Sequence, residues 1–229
     1  MPGSNPLGTR TLNPISFFPP HVDLAFLDNL ALRLFSKVLK LVNDPYFASS
    51  PIKIALNIDP CQLFSNTFTT TLQAMTESAR IAPNRIIFEL TEQSPIDQDS
   101  QFEAINILRL KGYNIAIDDF GSGYTNITNL HSIPFNRLKV DRRLLHNISE
   151  DSFCQVAIDS ILSMAQEVNA EVVLEGIEEI EQVVYSSRYK GVDLQGYYLC
   201  KPISEEELIT WIEASPYSLP EQATQSVSL

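Results

Sequence analysis

Short apolar runs and amphipathic stretches take turns along almost the whole chain, and no other feature limits its fold so tightly. The runs Ile52–Ile58, Arg85–Leu90, Asn114–Ile117, Arg137–Val140, Glu171–Leu174 and Val192–Leu194 are rich in β-branched residues and read as strands. Between them, Thr67–Ala82, Gln101–Lys111, Phe153–Asn169 and Ile180–Tyr189 carry apolar residues at helical spacing, and Glu205–Ala214 follows the last strand. Ahead of them all, Val22–Val42 repeats leucine and valine at Leu24, Leu27, Leu30, Leu34, Val38 and Leu41, and Asn43-Asp44-Pro45 ends that helix. Strand-then-helix alternation means a parallel sheet with helices outside it, because a parallel pair needs a crossover. Strands this apolar are buried on both faces. The expected fold is therefore α/β, a TIM-like (β/α) barrel, although only six of the eight strands of a closed barrel are visible.

Three segments are expected: a loop over residues 1–20, a barrel domain over 21–214 and a frayed tail over 215–229. No apolar run approaches the ~20 residues of a membrane span, and no signal-peptide pattern opens the sequence. Cys61, Cys154 and Cys200 are odd in number, far apart and without a CxxC pair, which fits a reducing, cytoplasmic setting. A net charge of −12 argues against binding DNA or RNA polymers, which needs a basic footprint. It leaves room for a small phosphate ligand whose charge is met by bound cations.

Polar residues gather where the strands end. The first strand ends in Asn57, the second runs into Glu89 and Glu92, and the third into Asp118 and Asp119. The fourth carries Lys139 and Asp141, the fifth leads to Glu175 and Glu178, and the sixth to Gln195. In a parallel βα barrel every strand C-terminus opens on one face, where active sites are built. Carboxylates and an amide oxygen are hard ligands suited to Mg²⁺ or Mn²⁺. Two such cations can activate water and stabilise a leaving oxygen, and a lysine among the acids can offset developing charge. Taken singly, each residue has an ordinary account, turn chemistry for Asn57 or an ion pair for Glu89. Turns do not explain six consecutive strands ending this way. A phosphoacceptor receiver domain also has paired acids and a lysine at strand ends. It needs a further aspartate strand between them, and here Lys139 follows Asp119 by only one βα step.

The blocks Asn57-Ile58-Asp59, Phe88-Glu89-Leu90-Thr91-Glu92 and Asp118-Asp119-Phe120-Gly121-Ser122-Gly123 come in a telling order. Leu138-Lys139-Val140-Asp141-Arg142, Glu175-Gly176-Ile177-Glu178, Gln195-Gly196-Tyr197-Tyr198 and Lys201-Pro202 continue it. In order and spacing these blocks resemble the EAL domain family, bacterial phosphodiesterases acting on cyclic di-GMP, from about Pro14 to Trp211. The resemblance implies a site for two Mg²⁺ or Mn²⁺ ions, no organic cofactor, and hydrolysis of cyclic di-GMP to pGpG. It assigns Asn57, Glu89 and Asp118 to one cation, with Asp118 bridging to a second held by Asp119. Glu175 would ligate a metal or act as general base, and Lys139 would polarise the attacking water. Glu178, Gln195, Asp141, Arg142, Tyr197 and Pro202 would bind substrate. Tyr197 and Tyr198 also suit simple strand-end packing. The stretch Asp119–Thr125, with Gly121 and Gly123, resembles the family's mobile loop, braced by Glu92 and contributing to a homodimer.

One departure is large. The family is named for a Glu-Ala-Leu segment whose Glu is a metal ligand, and in this chain no Glu precedes Glu77. Asn13–Pro20 already resembles the loop that follows that segment in the family. The expectation is a chain without that ligand and without the first two barrel strands. It would be impaired as an enzyme, with sheet edges at Ile52–Ile58 and Val192–Leu194 open to a partner that supplies strands. The alternative expectation is a non-catalytic cyclic di-GMP receptor or a protein-interaction module.

Overall fold

A computed structural model describes residues 23–48, 50–91, 99–122, 130 and 133–215. The expected loop over 1–20, nearly all of the expected tail, Glu92, and Gly123 to Thr125 of the Asp119–Thr125 loop lie outside them. The chain divides into two compact units, Met1–Leu138 and Lys139–Leu229.

In the first unit the helices are α1 (Leu24–Val42), the single turn α2 (Pro45–Ala48), α3 (Asn66–Ala79) and α4 (Asp99–Leu110). The strands β1 (Ile54–Ile58), β2 (Ile86–Thr91) and β3 (Asn114–Phe120) are neighbours in that order, and both pairings are parallel. Strand β2 is buried along five of its six residues, as expected of a strand covered on both faces. Phe88 sits at its centre, its ring 5.9 Å from Phe35 of α1 and 5.1 Å from Tyr113 ahead of β3. Helix α1 buries Ala31, Phe35, Leu39 and Val42, so the leucine stripe read from the sequence flanks the buried face, and Leu34 is largely exposed.

Strand β4 (Arg137–Val140) begins in the first unit and ends in the second. The second unit continues with α5 (Ser152–Glu167), β5 (Glu171–Glu175), α6 (Ile180–Ser186), β6 (Val192–Gln195) and α7 (Glu205–Ala214). Strand β4 lies beside β5, and β5 pairs parallel with β6. Its core holds Val140, Leu145, Ile158, Leu174, Ile177 and Tyr185. The chain's single tryptophan, Trp211, is half-buried on α7.

All six strands fall where the alternation puts them, Arg137–Val140 with the same bounds and the other five with no end more than three residues different. The helix read as Thr67–Ala82 stops at Ala79, because Arg80 turns left-handed (φ 55°) and the Ile81 N–H bonds back to the Thr76 carbonyl. None of the three cysteines is in a disulfide. Among the described residues no helix is long and apolar enough to cross a membrane.

Candidate active site

Strand register decides which side chains of the first unit can act together. Asn57 is paired with Glu89, Glu89 with Ala116, and Asp118 lies two residues beyond Ala116 on the same strand. Side chains alternate along a strand and in-register neighbours share a face, so Asn57, Glu89 and Asp118 all point to one side of the sheet. Leu56, Ile58, Phe88, Leu90, Ile115 and Ile117 point to the other side and are buried. Neighbouring strands lie about 4.8 Å apart. Short amide and carboxylate side chains at adjacent positions can therefore converge on a cation that takes oxygen at about 2.0–2.1 Å. Asn57 is exposed, Asp118 is half-buried and Glu89 is only 9% exposed.

Asp119 interrupts the alternation. Its backbone is left-handed (φ 58°), Gly121 follows at φ 90°, and the Ser122 N–H donates to the Asp119 carbonyl at 3.0 Å. The end of β3 is thus bent into a tight turn over Asp119–Ser122, and Gly121 takes a conformation that costs it little.

In the second unit the predicted residues form a connected cluster. Lys139 on β4 reaches Glu175 at the end of β5, Nζ to Oε1 2.8 Å, with side chains only 6% and 15% exposed. Glu175 is in register with Gln195 at the end of β6, placing both on one face. Beyond the strand ends the β5–β6 ladder continues, the Ile177 N–H donating to the Gln195 carbonyl and the Tyr198 N–H to the Ile177 carbonyl. The glycines of both motifs allow this approach. A Cβ on Gly196 would stand 2.1 Å from the Ile177 oxygen, and one on Gly176, itself at φ 69°, would stand 2.2 Å from the Arg142 Cβ. Arg142 and Glu178 line one pocket of about 240 Å³ with Arg143, His146, Gly176 and Gln182.

Other predicted residues are placed less pointedly. Asp141 is 8% exposed and accepts from the Arg143 backbone N–H and Nε, each at 2.8 Å, so it caps the turn after β4. Tyr197 (59% exposed), Tyr198 and Pro202 stand on the surface past β6. The sequence reading missed Gln182, which is 8% exposed. Its Oε1 accepts from the N–H groups of Glu178 (2.7 Å) and Glu179 (3.0 Å), and its Nε2 donates to the Leu145 carbonyl at 3.1 Å. The only local signal for it is the spacing from Glu179 to Gln182, that of a capping box. A wider groove of about 850 Å³ between α1 and α3, lined by Ser36, Lys40, Thr71 and Met75, contains none of the predicted residues.

Donor chemistry fits divalent cations: an amide and carboxylates on one face, with no thiolate or imidazole among them. A profile of the EAL domain matches residues 4–202. The chain is 30% identical over 190 residues to the cyclic di-GMP phosphodiesterase RocR of Pseudomonas aeruginosa, a match covering 82% of this chain and 48% of RocR. It is 27% identical over 208 residues to PdeG of Escherichia coli, described as a probable cyclic di-GMP phosphodiesterase, covering 90% of this chain and 41% of that protein. Among solved structures, the PaMucR phosphodiesterase in complex with c-di-GMP superposes with a TM-score of 0.69 at 26% identity, covering 81% of this chain and 83% of that one. The EAL enzyme Bd1971 with cAMP and cyclic-di-GMP bound gives 0.70 at 27% identity, covering 82% and 50%. The chain spans a fifth to a half of the length of the curated relatives it matches first.

Proposed function

Because the chain belongs to the EAL domain family, we propose that it is a metal-dependent phosphodiesterase that hydrolyses one phosphodiester bond of cyclic di-GMP to give linear pGpG. The observation that carries this reading is the buried Lys139–Glu175 pair at the ends of β4 and β5. Holding two charges with so little access to water costs desolvation free energy, so such a pair is weak evidence of a stabilising role and a candidate for a functional one. Asn57, Glu89 and Asp118 would hold one Mg²⁺ or Mn²⁺ ion, and Asp118 and Asp119 a second. Cations so held would supply Lewis-acid stabilisation of the phosphoryl oxygens and lower the pKa of water. The chain's own groups do the rest. Glu175 accepts the proton of the attacking water, and Lys139 orients that water and offsets charge gathering on the phosphoryl oxygens. Gln195, in register with Glu175, together with Glu178 and Arg142, orients the nucleotide.

The family's Glu-Ala-Leu segment does not occur in these 229 residues, whose first Glu is Glu77. With one anionic ligand fewer, this chain by itself is proposed to bind its cations weakly and turn over slowly. The test is chromatographic detection of pGpG from cyclic di-GMP with Mn²⁺. Slow hydrolysis is expected, abolished by EDTA and reduced at least about a hundredfold in Glu175→Gln and Lys139→Met. Calorimetric binding of cyclic di-GMP without any hydrolysis would support the receptor reading. Neither hydrolysis nor binding would overturn both.

A further inference from the structure

We propose that Gln182 is a positioning residue for the Lys139–Glu175 pair, tying together the two turns that carry the second unit's polar residues. Its importance for turnover rests on the phosphodiesterase reading above; its effect on the pair does not. The turn after β4 holds Asp141 and Arg142 and ends at Leu145, and it begins two residues after Lys139. The turn after β5 runs Glu175-Gly176-Ile177-Glu178. Gln182 bonds to both, through Oε1 to the Glu178 and Glu179 amides and through Nε2 to the Leu145 carbonyl, 37 residues away in sequence.

Half of this pattern has a local explanation. Accepting from the Glu179 N–H is what the third residue of a helix does in a capping box, and any such glutamine would help start α6. The bond to Leu145 is not explained that way. It uses the amide nitrogen, it serves no end of α6, and it spans the gap between the strands whose ends carry Lys139 and Glu175. Gly176, where an added Cβ would stand 2.2 Å from the Arg142 Cβ, shows how closely the same two turns approach. At 8% exposure the amide has little water to replace these partners, so losing them leaves buried polar groups unpaired. A lysine on a flexible four-carbon stem holds one geometry only where its surroundings fix both partners.

The two roles separate chemically. In Gln182→Glu the carboxylate still accepts from the Glu178 and Glu179 amides but has no proton to give Leu145. Gln182→Met removes both functions at similar size. Ser204→Ala removes a capping box from α7, away from these turns, and controls for loss of a helix cap. The experiment compares the ¹H–¹⁵N signal of the Lys139 ε-ammonium in the four proteins, together with kcat and KM for cyclic di-GMP with Mn²⁺. A wild-type and Ser204→Ala signal protected from solvent exchange is expected, lost in Gln182→Glu and Gln182→Met. Turnover should fall about tenfold or more in both Gln182 variants with KM within about twofold, as for a misplaced reacting group. A protected signal and unchanged kcat in Gln182→Glu would overturn the proposal and leave Gln182 as a helix cap. If wild type shows no hydrolysis, the phosphodiesterase reading falls, and the ammonium signal alone decides the positioning role. If the wild-type ammonium is unprotected, the pair is not held and the proposal falls.

Discussion

Asp151 shows how a single carboxylate links helix formation to pH. It precedes α5, and its side chain accepts from the N–H groups of Phe153 (2.9 Å) and Cys154 (3.3 Å). Those backbone hydrogen bonds hold its carboxyl below the ordinary value. The folded state therefore binds this proton less readily than the unfolded state does. The stabilisation is present above the unfolded pKa, near 3.8, and is lost as pH falls through the lower folded value. Asp151→Asn keeps an N-cap acceptor without the titration. It is expected to leave the urea midpoint at neutral pH nearly unchanged and to reduce its fall between about pH 5 and pH 2; an identical acid limb in both proteins would sink the assignment. Residues at this scale were unevenly legible in the sequence. Lys139 and Glu175 could be named because each ends a strand in a spaced motif. Gln182 could not, because what sets it apart is a partner 37 residues away, and only folding brings Leu145 to it.

At the scale of elements, the strands were legible and the helix ends were not. A strand covered on both faces is written as an apolar run, so β2 could be found from Ile86 to Leu90 without any structure. Helix α3 ends on Arg80 in a left-handed conformation that usually calls for glycine or asparagine, so no residue marks the stop. Helix α1 shows the same limit, since its leucine spacing predicts a helix correctly while the aromatic contact of Phe35 with Phe88 decides which face turns inward. The clearest prediction here concerns the join between β5 and β6. A methyl on Gly196 would collide with the backbone oxygen and nitrogen of Ile177, atoms already engaged in the ladder. Gly196→Ala should cost about 1–3 kcal/mol, the usual range for forcing volume into a filled space. It should also speed amide hydrogen exchange at Ile177 and Tyr198 above all. Uniformly faster exchange across the unit would contradict a local origin.

On the scale of the whole molecule, cation binding and stability are linked. A ligand that binds only the folded chain stabilises it by about 2.7 kcal/mol at a hundred times its Kd, and a chain of this length gains roughly 2–4 °C per kcal/mol. Saturating Mn²⁺ is therefore expected to raise the melting temperature by roughly 5–10 °C, and Asp118→Ala to remove most of that rise. An equal rise in the variant would mean that the −12 net charge, and not the strand-end residues, is collecting the metal. Scanning in Mg²⁺ and Mn²⁺ at equal ionic strength separates the two. The division at Leu138 gives the chain a built-in optical label. Its sole indole, Trp211, belongs to the second unit, while Phe35, Phe88 and Tyr113 belong to the first. Fluorescence excited near the red edge of protein absorption thus observes one unit, and far-ultraviolet ellipticity observes helices of both. If the two traces coincide in urea, the units melt as one cooperative body; if they part, the gap between the midpoints measures how far each stands without the other.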